Sequence, residues 1–102
     1  MIDESLIKRM QKLLLKIPKG KITTYKEIGK QLGVHPRFAG RIVGSNPDGD
    51  AYPCYKVIYS NGGIGGYGGS DPRKIREKIR RLKKDGIVIK NGKIAKRFFF
   101  FF

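Results

Sequence analysis

The chain has no tryptophan, one cysteine (Cys54) and one histidine (His35). One thiol cannot close an internal disulfide, and a lone Cys with a lone His does not complete a zinc set, so disulfide scaffolding and zinc chemistry are excluded. Acid is scarce as well: 8 Asp and Glu face 23 Lys and Arg, a formal charge of +15 on 102 residues. A Lys-rich thermophilic surface normally carries matching Glu, which is lacking here. The positive potential over so small a body points instead to a polyanion, bound with strong salt dependence because each neutralised phosphate releases counterions. The sequence has no apolar run long enough for a membrane span, and Asp3 and Glu4 stand ahead of a periodic helix where a signal peptide would be positive. The expectation is a cytoplasmic, reduced, monomeric protein with no membrane, metal or cofactor. Its length is that of one domain with a modest core, so a substrate meets a surface or a shallow cleft.

Leu6, Ile7, Met10, Leu13 and Leu14 follow a helical period between Glu4 and Lys16, predicting an amphipathic helix stopped by Pro18 and Gly20. Ile22-Thr23 reads as an extended link. Thr24 with Glu27 makes a capping box for a helix over Tyr25–Leu32 that Gly33 ends, and Pro36 opens a second short helix to about Gly44. Helix, glycine-bearing turn, helix is helix-turn-helix spacing. The second helix contains Gly40 and Gly44, each about 1 kcal/mol worse than alanine in a helix. Two readings stand: tight packing inside the domain, or close approach of the backbone to a nucleic-acid groove with Arg37 and Arg41 reaching phosphates or the base stack.

Asn46-Pro47-Asp48-Gly49 is a turn, and Ala51 to Tyr59 has strand-like content broken by Pro53, which puts Cys54 in a rigid, partly extended segment. Alone, such a cysteine is more often a small buried hydrophobe than a nucleophile. Residues 60–69 hold six glycines in ten, a loop that something approaches, without the Gly-Lys-Ser/Thr ending of a phosphate loop. Asp71-Pro72 caps and opens a helix through Lys84 with Ile75, Ile79 and Leu82 on one face. Apolar runs on either side of Asn91-Gly92, between Ile87 and Ile94, predict a hairpin. The fold class is mainly α with small β: a winged-helix-like helix-turn-helix domain over 1–97 with a C-terminal hairpin. For the tail Phe98 to Phe102, packing over the core, pairing with another copy and disorder all stand open.

Pro36-Arg37-Phe38-Ala39-Gly40, Asn46-Pro47, Pro53-Cys54-Tyr55-Lys56-Val57 and Gly65-Gly66-Tyr67, in this order, resemble the DNA-binding and active-site domain of the O6-alkylguanine-DNA alkyltransferases, over roughly residues 4 to 95. The resemblance implies binding of double-stranded DNA containing O6-alkylguanine through the minor groove, extrusion of the damaged base, and irreversible transfer of its alkyl group to Cys54. It implies that Arg37 fills the vacated place in the duplex and that Tyr25 assists rotation and contacts the base. Ala39, Gly40 and Gly44 would give the backbone its close approach, with Arg41 and Lys56 as further DNA-binding residues. Asn46 would brace the turn presenting Cys54, while Val57, Tyr67 and Gly68 would line the pocket, the glycine loop offering N–H groups to the guanine O6.

Four departures from the family pattern bear on activity. Tyr55 stands where the family has a proton-relaying histidine, and a phenol of pKa about 10 is a poor base near neutrality. Asp85 precedes Gly86 where the family has glutamate, and is expected to accept a hydrogen bond from Tyr55; Lys56 and a helix N-terminus near Cys54 are expected to favour the thiolate. Gly68 replaces a common serine, and Phe38 replaces a small residue, as a second wedge or as core. The readings that follow are a suicide alkyltransferase, a non-catalytic alkyltransferase-like protein that flags the lesion, and a sequence-neutral architectural helix-turn-helix protein.

Overall fold

The computed structural model describes residues 2–65 and 71–102. Helix α1 spans Glu4–Lys16; Asp3 caps it by accepting from the Ser5 N–H at 2.8 Å. Strand β1, Thr23–Thr24, leads into α2, Tyr25–Leu32, where the Thr24 hydroxyl accepts from the Glu27 N–H at 3.1 Å as the capping box requires. After Gly33 comes α3, Pro36–Gly44, and the two helices form the expected helix-turn-helix. The turn is tight enough that a Cβ on Gly29 would sit 2.7 Å from the Val34 carbonyl oxygen. Helix α4, Pro72–Lys84, starts on the Asp71 cap.

The β content is small and splits in two. β1 pairs in parallel with β2, Val57–Ile58, in the register Thr23 to Val57 and Thr24 to Ile58, so the predicted extended link at Ile22-Thr23 is in fact the start of a sheet. β3, Ile89–Lys90, and β4, Lys93–Ile94, form the predicted hairpin, with Asn91 and Gly92 both at positive φ in its turn. Of the strand-like stretch Ala51 to Tyr59 only β2 is strand; Cys54–Lys56 is one turn of 3-10 helix.

Because side chains alternate along a strand, β2 divides two cores. Val57 joins Met10, Leu14, Ile28, Leu32, Ala39 and Ile42, while Ile58 joins Ile22, Ile64, Leu82, Ile87 and Ile94. The phenylalanine tail closes over both. Ile22 donates to the Phe98 carbonyl at 2.8 Å and accepts from the Phe100 N–H at 2.6 Å, extending the sheet along β1. Phe98 and Phe99 pack on the second core, Phe100 and Phe102 on the first. Of the three fates open to the tail, the chain takes the first. Phe38 packs on the first core, so it is core rather than a wedge. No described helix is long and apolar enough to cross a membrane.

Candidate active site and nucleic-acid interface

An open cleft of about 1160 Å³ lies between α3, the segment carrying Cys54, the start of the glycine-rich stretch and α4. Arg37, Gly40, Arg41 and Gly44 line it from α3, Asn46 and Cys54 from the turn beyond, Tyr25 from α2, and Tyr59, Ile64 and Gly65 from the far side. A Cβ on Gly40 would meet only the Tyr25 ring at 3.8 Å, and one on Gly44 would meet nothing within 4 Å. Tight packing therefore does not explain these glycines: the α3 backbone faces open space. Ala39 is the exception in this helix. It is fully buried in the first core, and the expectation that it contacts DNA is corrected.

Cys54 is half-buried, free and first in the 3-10 turn, its N–H donating to the Tyr52 carbonyl at 2.8 Å. Asn46 ties down the same loop. Its Nδ2 donates to the Tyr52 carbonyl at 2.8 Å, and its Oδ1 accepts from Gln11 and from the Asp48 N–H.

Tyr25 stands at the centre of the cleft, between its walls. Its Cδ1 edge faces Gly40 and its Cε2 edge faces Gly65, and its ring packs 5.5 Å from that of Tyr59. Burial first, then the neighbouring Tyr59 and Cys54 charges, push its pKa well above the ordinary phenol value, so the hydroxyl stays protonated. Beside it lies a residue that sequence reasoning passed over. Lys78 of α4 is fully buried, donates to the Val57 carbonyl at 2.6 Å, reaches the Tyr25 hydroxyl at 3.5 Å, and lies 5.7 Å from the Tyr25 ring centre. Burial lowers its pKa to about 8, with the Cys54 charge pulling the other way. The signal was present: Lys78 falls three residues after Ile75 and four before Leu82, inside the apolar stripe of its helix.

Four further expected site residues are not among those lining the cleft. Lys56 is 5% exposed; its ammonium pairs with Asp85 at 3.1 Å and donates to the Pro18 carbonyl at 3.0 Å, so it is an internal ion-pair partner and not a phosphate ligand. Asp85 pairs with Lys56 and accepts from the Gly20 N–H at 3.0 Å. Tyr55 packs on the second core and, with Asp85, lines a separate cavity of about 420 Å³ that does not include Cys54. Val57 turns its side chain into the first core, lending the site only its carbonyl. Tyr67 and Gly68 lie outside the described residues.

Residues 5–87 match the family described as "6-O-methylguanine DNA methyltransferase, DNA binding domain". A bifunctional methyltransferase/endonuclease of Picrophilus torridus is 46% identical over 84 residues, covering 80% of this chain and 27% of the relative. A methylated-DNA–protein-cysteine methyltransferase of Saccharolobus solfataricus is 41% identical over 78 residues, covering 76% and 48%. This chain thus spans only a quarter to a half of these relatives' length. Among solved structures, the Mycobacterium tuberculosis O6-methylguanine methyltransferase superposes with a TM-score of 0.67 at 34% identity, over 82% of this chain and 50% of that one. Atl1 of S. pombe, in complex with damaged DNA containing O6-carboxymethylguanine, shares the fold over 98% of both chains, with a TM-score of 0.83 at 21% identity. With four-fifths of its residues matched to that DNA-binding domain, the chain belongs to the 6-O-methylguanine DNA methyltransferase family.

Proposed function

We propose that the protein repairs double-stranded DNA by moving the alkyl group of O6-alkylguanine to Cys54 in a single irreversible step. The observation that carries this reading is the shared cleft: the only thiol of the chain opens into the same space as the cationic, glycine-bearing face of α3. Arg37 and Arg41 bind the duplex, and Arg37 takes the place of the extruded base. Asn46 braces the turn that presents Cys54 through its bond to Tyr52. The Cys54 sulfur, as thiolate, forms a bond to the alkyl carbon while the carbon–O6 bond breaks and its electron pair passes to the purine. The purine takes a proton supplied by the Lys78 ammonium and passed through the Tyr25 hydroxyl 3.5 Å away, so the phenol itself stays protonated. The thiol gives its proton to solvent and Lys78 regains one from solvent, so the step is balanced without a cofactor.

A second reading has a specific observation in its favour. Tyr55, which stands where the family has its proton-relaying histidine, lines with Asp85 a second cavity whose lining does not include Cys54. On that reading the cleft binds the lesion and flags it without transfer. Incubation with an O6-methylguanine duplex followed by intact-mass measurement decides between them: transfer adds one methyl to the wild type and none to Cys54→Ala. Tight lesion binding with unchanged mass would instead establish the flagging role. Equal affinity for damaged and undamaged duplex would overturn both readings.

A further inference from the structure

The β3–β4 hairpin has no place in the chemistry above, yet it is built in a way that invites a ligand. From Gly86 to the end of the sequence there are four cations, Lys90, Lys93, Lys96 and Arg97, and no Asp or Glu. Lys90 and Lys93 are exposed and sit directly opposite each other across the two strands. Like charges at directly opposed positions destabilise a hairpin, and among the described residues neither lysine makes an ion pair.

The hairpin is also fastened to the cleft. Lys93 bridges to Gly63, and the Ile94 N–H donates to the Gly62 carbonyl at 2.9 Å. The contact is so close that a Cβ on Gly62, whose φ is +89°, would lie 2.7 Å from the Ile94 carbonyl oxygen. The next residues, Ile64 and Gly65, line the cleft across the Tyr25 ring from α3. The charged tip is thus held at the side of the cleft opposite Arg37 and Arg41.

We infer that Lys90 and Lys93 form a second phosphate-binding contact that clamps the duplex backbone on the side of the cleft opposite α3. This rests on the reading that the cleft receives a base from DNA. A phosphate between the two ammonium groups offsets their repulsion, and a duplex that spans the cleft carries a phosphate strand on each side of its groove.

The test measures duplex binding of the whole chain against salt concentration. Removing two phosphate contacts in Lys90→Gln/Lys93→Gln should lower the slope of log affinity against log salt by about 1.8, and weaken binding on the order of tenfold near physiological salt. The charge-matched variant Lys12→Gln/Lys16→Gln, exposed on α1, should change the slope by less than half as much; equal changes would mean that only net charge matters and would overturn the inference, as would an unchanged slope in the hairpin variant. Lys90→Glu separates binding from folding, since it places opposite charges across the strands. It should unfold no earlier than wild type and still bind duplex more weakly, and full-strength binding would overturn the inference. Reaction with free O6-benzylguanine should be the same in the hairpin variant and wild type, and a loss there would equally count against a backbone contact. A wild type with no salt-dependent duplex binding would defeat the repair reading itself, whereas normal wild-type binding with an unaltered hairpin variant defeats only the clamp.

Discussion

Two lysines are buried on either side of the Cys54 segment, and the chain treats them differently. Lys56 lies against Asp85 and the Pro18 carbonyl, away from the cleft. Lys78 lies against the Val57 carbonyl and the Tyr25 hydroxyl, beside the thiol, with its pKa lowered to about 8 by burial. A carboxylate compensates the first charge and makes it a structural pin joining the Cys54 turn to the end of α4 and the Pro18–Gly20 loop. The second is kept close to neutrality, a state useful where a proton has to be supplied at ordinary pH.

The two lysines should therefore fail in opposite ways when replaced. Lys56→Met strands the buried Asp85 carboxylate and should lower stability by on the order of 3 kcal/mol in urea unfolding, while the transfer rate of the remaining folded protein stays within about threefold. Adding Asp85→Asn should recover part of the stability. Lys78→Met should instead slow alkyl transfer about 100-fold or more, on duplex and free base alike, with Cys54 still present. A rapid Lys78→Met enzyme, or a Lys56→Met enzyme crippled in its chemistry but not its folding, would erase the distinction.

Arg37→Ala sharpens the contrast between binding and chemistry. Repair of duplex should fall about tenfold, while reaction with free O6-benzylguanine should be unchanged, because the free base needs no extrusion. Equal losses on both substrates would remove the extrusion role.

The lowered pKa of Lys78 gives the next test. A lysine at about 8 when folded and at 10.5 when unfolded binds fewer protons in the native state between those values, so its contribution to stability rises with pH across that window. Between pH 7 and 9 wild type should gain about 1 kcal/mol that Lys78→Met does not, read as the difference between their urea midpoints. A parallel rise in both proteins would place the titration elsewhere.

Much of the local structure was legible because single residues dictate it. Thr24 and Asp71 are caps, Pro36 and Pro72 open helices, and Asn91-Gly92 makes the hairpin turn; each acts through its own backbone or side-chain chemistry within a few residues. The order Arg37, Asn46, Cys54 was legible for the same reason, as a linear pattern. What escaped was decided by partners distant in sequence. Thr23 and Val57 pair across 34 positions, so the local sequence shows extended backbone at each but not that the two join. Lys56 read as a surface cation because its partner is 29 residues away, and Ala39 as a DNA contact because its small size suits a groove and a packed core equally. The tail was undecidable from composition: its fit rests on Ile22 having a free sheet edge.

The smallest expected effect bears on the exposed side of α3, the face most unlike either buried lysine. Gly44 ends the helix in open space, so Gly44→Ala meets no steric obstacle and should stabilise the fold by about 0.5–1 kcal/mol through helix propensity. A methyl group there stands on the lining of the cleft, where the proposed function needs a bare backbone against the groove. Thermal unfolding and duplex binding should therefore move in opposite directions, a higher midpoint alongside a several-fold loss of affinity. A stabilised variant with undiminished affinity would mean that the duplex does not approach α3 at its C-terminal turn, and would shift the groove contact towards Arg37 and the helix start.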